Sequence, residues 1–225
     1  MMNDIKINRY IEHTKLSPTF TDNDVYSLVE EAAENEFLGI CLPPFWVKKA
    51  KREIGDQDIQ LVSVAGFPLG YNMTETKIEE MKKMIDDGVD EIDMVFNVSS
   101  FKAGMIWPKI EVAKCASLAH DNFKILKVII ETAYLNEDEI RTISKICADA
   151  GVDFVKTSTG FAPSGAQTSD IITMRDCLPS NVGIKASGGI SSYDEALKMI
   201  KAGADRIGTS KGIKIMEEFK KATKA

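Results

Sequence analysis

Histidine and cysteine are scarce. The chain holds two histidines, His13 and His120, and four cysteines, Cys41, Cys115, Cys147 and Cys177. No two cysteines form a C-x-x-C pair and none has zinc-ligand spacing, so neither a metal centre nor a disulfide scaffold is expected, and the thiols read as those of a reduced, cytoplasmic protein. No long basic run occurs and the net charge is −6, which argues against nucleic acid as a partner. No apolar run approaches the length that spans a bilayer, and the opening "MMNDIKINRYIEHT" is too polar for a signal peptide. No Pro/Gly-rich linker or low-complexity tract divides the chain. With 44% hydrophobic residues over 225 positions, what remains is a soluble globular protein, with core enough for one large domain or two small ones.

What is present is a repeat. "GVDEIDMVF" from Gly88, "GVDFVKTST" from Gly151 and "GADRIGTSK" from Gly203 each begin with Gly, then Val or Ala, then Asp, and run into an apolar strand. Each follows a helix-like stretch, so the glycine reads as the left-handed residue that ends a helix. "INRYIEHT", "FLGICLPP", "IQLVSVAGFP", "KILKVIIE" and "VGIKASGG" supply further strands. Together they predict eight strands starting near residues 7, 37, 59, 91, 124, 153, 182 and 205. Asn136 with Glu139, and Ser192 with Glu195, resemble capping boxes. Eight β/α units in one chain predict an α/β fold, a single-domain TIM (β/α)8 barrel over 1–225. The alternative is an open doubly wound sheet, whose usual G-x-G-x-x-G after the first strand is absent.

The repeat also gives a register. Asp93, Lys156 and Gly208 each lie five residues after their glycine. Side chains alternate along a strand, so Ile92, Met94 and Phe96 face the helices while Asp93, Val95 and Asn97 face the barrel axis. The same parity turns Lys127 and Glu131, Lys156 and Ser158, and Lys185 and Ser187 inward. Glu12 is a further interior candidate. A buried lysine could be a salt-bridged or snorkelling packing residue. Three of them on consecutive strands point instead to chemistry, because burying each ion costs several kcal/mol.

Paired lysines suit a Schiff-base nucleophile. A free lysine is neutral in roughly a few of ten thousand molecules at pH 7. A second ammonium ~6 Å away, at an effective dielectric of about 20, lowers the pKa by about two units. On this reading Lys156 or Lys185 attacks a carbonyl, the other supports it, and Asp93 moves protons. "ASGGI" (186–190) and "GTSKG" (208–212) follow the seventh and eighth strands just before helices. Such loops expose N–H groups that suit a phosphate.

The stretches "GFPLG" (66–70), "EIDMVFN" (91–97), "KVIIET" (127–132), "FVKTSTGF" (154–161), "IKASGGI" (184–190) and "GTSKG" (208–212) resemble, in order along the chain, the deoxyribose-phosphate aldolase family. The resemblance implies a class I aldolase on a TIM barrel. It would need no cofactor or metal, and would cleave 2-deoxy-D-ribose 5-phosphate reversibly to D-glyceraldehyde 3-phosphate and acetaldehyde. It implies Lys156 as the imine-forming lysine, Lys185 as the neighbour that tunes it, and Asp93 as the acid/base group. Thr14 and Thr159 would lie near the substrate hydroxyls, Cys41 near the aldehyde, and Glu12 and Lys127 among the substrate-site groups. Gly160, Gly188, Gly189, Ser191, Gly208, Ser210 and Lys211 would form the phosphate site. A homodimer or homotetramer is implied as well.

Four positions depart from the family pattern. Glu12 stands where Asp is common, Ser191 where Arg is common, and Phe161 where some members carry Lys. Lys211 replaces a small residue and is expected to restore the missing phosphate charge. Trp46 and Trp107 read as packing, and His13 as structure. The lysines of 48–51 and 220–224 read as solvated helix faces. Two other functions compete. A phosphosugar isomerase or epimerase would need a carboxylate or histidine base and leaves paired lysines unexplained. A silent sugar-phosphate sensor leaves the buried ions unexplained.

Overall fold

Each apolar run flanked by a helix contributes one strand, and the strands close on themselves. The computed structural model of the protein describes residues 6–223. The first residues of the polar N-terminal stretch and the last lysine of the 220–224 run lie outside them. The strands are β1 (Ile11–Thr14), β2 (Gly39–Leu42), β3 (Gln60–Ala65), β4 (Glu91–Val95), β5 (Ile125–Ile129), β6 (Phe154–Lys156), β7 (Gly183–Ser187) and β8 (Arg206–Thr209). They pair in parallel in chain order, and β8 pairs back onto β1. The open-sheet alternative is thereby excluded. The helices are α1 (Asp22–Glu34), α2 (Val47–Ile54), α3 (Thr74–Asp86), α4 (Val98–Lys102), α5 (Trp107–Asp121), α6 (Glu137–Asp149), α7 (Thr168–Cys177), α8 (Tyr193–Ala202) and α9 (Gly212–Ala222).

The repeat has a physical basis. Gly88, Gly151 and Gly203 have φ of 96°, 80° and 114°, the left-handed turn that stops a helix and redirects the chain into a strand. The aspartate two residues on serves the neighbouring strand. Asp90 accepts from Leu61 N at 2.9 Å, Asp153 from Leu126 N at 2.8 Å and Asp205 from Ile184 N at 2.8 Å. Each carboxylate satisfies the first free backbone donor of the preceding strand. Asn136 and Glu139 form the expected capping box. Ser192 caps α8 through Glu195 N, but the Glu195 carboxylate reaches back one residue further, to Ser191 N at 2.7 Å.

The first strand begins later than its sequence suggests. Ile7–Tyr10 form a 3₁₀ turn with Ile7 fully buried, and Leu38 N donates to the carbonyls of Asn8 and Ile11. Ile92, Met94 and Phe96 join the large core between strands and helices, as their parity requires. Inside the barrel, Cys41, Val62 and Val64 form a small apolar cluster beside β2 and β3. Beside it the interior buries Glu12, Glu91, Asp93, Lys127, Lys156 and Lys185. Trp46 packs on Phe20 at 5.7 Å between ring centroids. Trp107 departs from the packing expectation: it opens α5 and is 58% exposed, while Pro108, Glu111 and Val112 carry the buried face of the same helix start. His13 is buried against Phe37 and pairs with Glu31 at 2.6 Å, a structural role. Among the described residues no helix is long and apolar enough to cross a membrane.

Candidate active site

Parallel strands carry their polar side chains to the barrel axis, and Asp93 is the point where three of them meet. Its Oδ2 accepts from Lys156 Nζ at 2.8 Å and from Lys185 Nζ at 2.6 Å, and its Oδ1 from Lys127 Nζ at 3.0 Å. Register makes this possible. Asp93 is paired with Lys127 across β4 and β5, and Lys156 with Lys185 across β6 and β7. Lys185 also bonds Glu12, while Lys127 pairs with Glu91 at 2.5 Å. Arg206 lies 3.6 Å from Glu12 and 3.4 Å from Glu91. Gly208 leaves space for this crossing, since a Cβ there would stand 3.0 Å from Lys185 Cε.

Four cations, Lys127, Lys156, Lys185 and Arg206, therefore face three carboxylates, Glu12, Glu91 and Asp93. Burial alone would push Asp93 up, but the ammonium groups of Lys127, Lys156 and Lys185 outweigh it and hold the carboxyl well below its usual range. Glu12 is lowered likewise, burial being overcome by Lys127 and Lys185. Burial disfavours the charge on Lys185, yet Asp93 and Glu12 more than compensate and raise its pKa. Lys127 is raised for the same reason. Asp93 thus stands where a carboxylate can keep the second lysine charged. A shared carboxylate oxygen lies between Lys156 and Lys185, and Lys185 is held charged.

These shifts set an acid limit on stability. The unfolded chain protonates Asp93 and Glu12 near pH 4, the native one only at lower pH, so unfolding takes up protons and stability falls as pH falls. The stabilisation is complete above about pH 4 and is lost as pH drops through the depressed native values. Denaturant titrations from neutral pH downward are expected to show a steep midpoint loss below about pH 4, with a shallower loss in Asp93→Asn.

A cavity of about 340 Å³ opens at the C-terminal ends of the strands. Of the three interior lysines, Lys156 alone lines it, at 2% exposure, whereas Lys127 and Lys185 are fully buried. Thr14, Thr159, Gly160, Gly188, Gly189, Ser191, Gly208, Ser210 and Lys211 also line it. Asp93, Glu12, Cys41 and Lys127 are fully buried and do not line it. Burial pushes the Cys41 thiol up to about 11, so it stays protonated at neutral pH. The N–H groups of Gly160, Gly188, Gly189 and Ser210 meet no acceptor among the described residues, and the last three lie just before α8 and α9. Gly188 must lack a side chain, because a Cβ on it would stand 3.0 Å from the Gly165 Cα. Ser191 gives both its N–H and its hydroxyl to Glu195, at 2.7 and 3.1 Å.

Sequence reasoning missed Glu91 and Arg206, although Glu91 shares the parity of Asp93 two residues on. It also missed the apolar side of the cavity, where Leu16 and Phe161 lie, Phe161 set edge-on against Phe67 at 5.3 Å. Among the described residues no group of three His, Cys, Asp or Glu side chains is placed to hold a metal ion.

A closed β/α barrel with a buried, carboxylate-held amine at the floor of an open cavity is the architecture of a carbonyl-handling barrel enzyme. The DeoC/LacD family of aldolases matches residues 8–218, and the chain belongs to that family. A deoxyribose-phosphate aldolase of Thermococcus kodakarensis is 44% identical over 219 residues, covering 96% of this chain and 98% of the relative. One of Lactiplantibacillus plantarum is 44% identical over 214 residues, covering 94% of this chain and 99% of the relative. Among solved structures, the aldolase QR15 superposes with a TM-score of 0.91 at 37% identity, covering 99% and 98% of the two chains. The tetrameric deoxyribose phosphate aldolase of Aeropyrum pernix superposes at 0.87 and 33% identity, covering 96% and 92%.

Proposed function

We propose that the protein is a class I aldolase that reversibly cleaves 2-deoxy-D-ribose 5-phosphate to D-glyceraldehyde 3-phosphate and acetaldehyde, with Lys156 as the Schiff-base nucleophile. One observation carries the assignment. Lys156 is the interior lysine that reaches the cavity, and it shares one oxygen of Asp93 with Lys185. The other three cations, Lys127, Lys185 and Arg206, match Glu12, Glu91 and Asp93 in number, so the cluster does not depend on a charge at Lys156 for balance. Its attack on the open-chain aldehyde, with loss of water, gives a protonated imine. Removal of the proton from the C3 hydroxyl then breaks the C2–C3 bond, and the electron pair moves into the imine to give an enamine. Protonation of the enamine carbon and hydrolysis release acetaldehyde and restore the amine. Asp93, with Lys185 on the same oxygen, holds and moves the protons. Release of acetaldehyde from the substrate, unaffected by EDTA, tests the reading. Folded protein that releases none would contradict it.

The phosphate end of the substrate fits the free N–H groups of Gly160, Gly188, Gly189 and Ser210. Lys211 supplies the positive charge there, since Ser191 is committed to Glu195. Lys211→Ala is expected to raise KM for the phosphorylated substrate about tenfold with kcat little changed. An unchanged KM would remove Lys211 from the site. A second reading, an aldolase of the same type with relaxed phosphate selectivity, is favoured by the Phe161–Phe67 wall and by the committed Ser191. The ratio of kcat/KM for phosphorylated and unphosphorylated substrate decides between them.

The remaining parts of the reading are a cytoplasmic enzyme and a homo-oligomer. The tetrameric Aeropyrum pernix relative supports self-association. So do the exposed Tyr71, Met73 and Trp107, which flank one apolar groove of about 220 Å³.

A further inference from the structure

Among the described residues three other than glycine have a left-handed backbone: Glu36 at φ 51°, Phe123 at 57° and Glu131 at 55°. Glu36 and Phe123 each follow the C-cap of a helix, Asn35 after α1 and Asn122 after α5, where such a residue is an ordinary way to stop. Glu131 follows a strand, β5, and has no helix to end. At ψ 68° it occupies a region that side chains with a Cβ avoid. Strain of this kind persists where the surroundings over-determine it.

The surrounding contacts converge on its carboxylate. Thr159 N–H donates to the two oxygens at 3.2 and 3.3 Å, and the Thr159 hydroxyl donates to Oε2. Thr159 Oγ1 in turn accepts from Phe161 N at 3.1 Å, which closes a turn around Gly160, itself left-handed at φ 87°. Thr132 N donates to Thr157 O at 2.9 Å, a second tie between the same two segments. Thr159, Gly160 and Phe161 line the cavity that holds Lys156, whereas Glu131 does not and is 4% exposed. Burial raises the Glu131 carboxyl above its usual range, against the pull of the Thr159 donors.

We propose that Glu131 is a positioning residue that shapes the Thr159–Phe161 turn so that the Gly160 N–H faces the phosphate-bearing end of the acceptor aldehyde. The proposal rests on the function given above. The Thr159 hydroxyl proton is already donated to Glu131, so the turn recognises an anion through backbone N–H rather than through that hydroxyl. Carboxylate and strained backbone act together. The carboxylate reaches Thr159 because residue 131 is left-handed, and the left-handed turn persists because the carboxylate is held.

The test separates backbone from side chain. Glu131→Gly and Glu131→Asn suit a left-handed backbone but cannot reach Thr159, whereas Glu131→Gln keeps the reach and an acceptor. With 2-deoxyribose 5-phosphate as substrate, the Gly and Asn variants are expected to fold, to raise KM about tenfold and to hold kcat within about threefold. The Gln variant is expected to stay within about threefold of the parent in KM. Borohydride trapping with acetaldehyde alone, which lacks the phosphate end, should be unchanged in all three. Folded Gly or Asn variants with the parental KM would overturn the proposal. So would failure of both to fold while the Gln variant folds, since the contact would then serve folding alone. A parent enzyme that does not cleave the substrate would instead sink the function itself.

Discussion

Lys156→Ala yields a folded barrel in which aldol cleavage is lost: kcat falls about 10⁴-fold or more, and no covalent adduct forms with substrate. The expectation follows from two features of the site. Lys156 is the interior amine that lines the cavity, and Lys185, its register partner on β7, is fully buried and does not line it. Its removal also leaves three cations facing three carboxylates, so the buried cluster stays balanced. Tm is therefore expected to stay within about 3 °C of the parent. A variant that kept substantial activity would move the nucleophile elsewhere. A variant that unfolded would show that the charge count misjudges the interior.

Asp93→Asn has the opposite balance of effects on stability. The side chain keeps its size but loses its charge, which leaves the three buried lysines and the partly buried Arg206 against two carboxylates. Breaking a buried ionic cluster from one side costs about 3–5 kcal/mol. In a chain of this length that corresponds to a fall in Tm of about 10 °C. Cleavage is lost as well, because the single amide oxygen of Asn cannot serve both Lys127 and the Lys156–Lys185 pair, and its NH2 turns a donor toward ammonium groups that need an acceptor. Combining Asp93→Asn with Lys156→Ala removes one of the surplus cations and is expected to recover part of the lost Tm. Calorimetry on the two single variants and the double variant tests this. A Tm for Asp93→Asn equal to that of the parent would refute the network as drawn.

The inward cluster was legible because strands impose a period of two and the Gly-x-Asp repeat marks their phase. Counting five residues from each glycine finds Asp93 and Lys156, and parity extends the count to Lys127 and Lys185. The aspartate of the repeat explained more than was read from it, since Asp90, Asp153 and Asp205 each cap a neighbouring strand. What stayed hidden depends on contacts across the barrel. Lys185 meets Glu12 only because β8 closes onto β1, and neither residue reveals its partner from sequence. Arg206 is legible as a strand residue but not as the cation that Glu12 and Glu91 share. The left-handed Glu131 carries no local signal, since its backbone is held by Thr159, 28 residues away. Trp107 looked like core because its helix does, but the buried face of α5 begins at Pro108 and leaves Trp107 outside it.

Borohydride trapping with 2-deoxyribose 5-phosphate, followed by peptide mass mapping, tests the central claim most directly. The account predicts a reduced two-carbon adduct on Lys156. An adduct on Lys185, or none on folded protein, would contradict it.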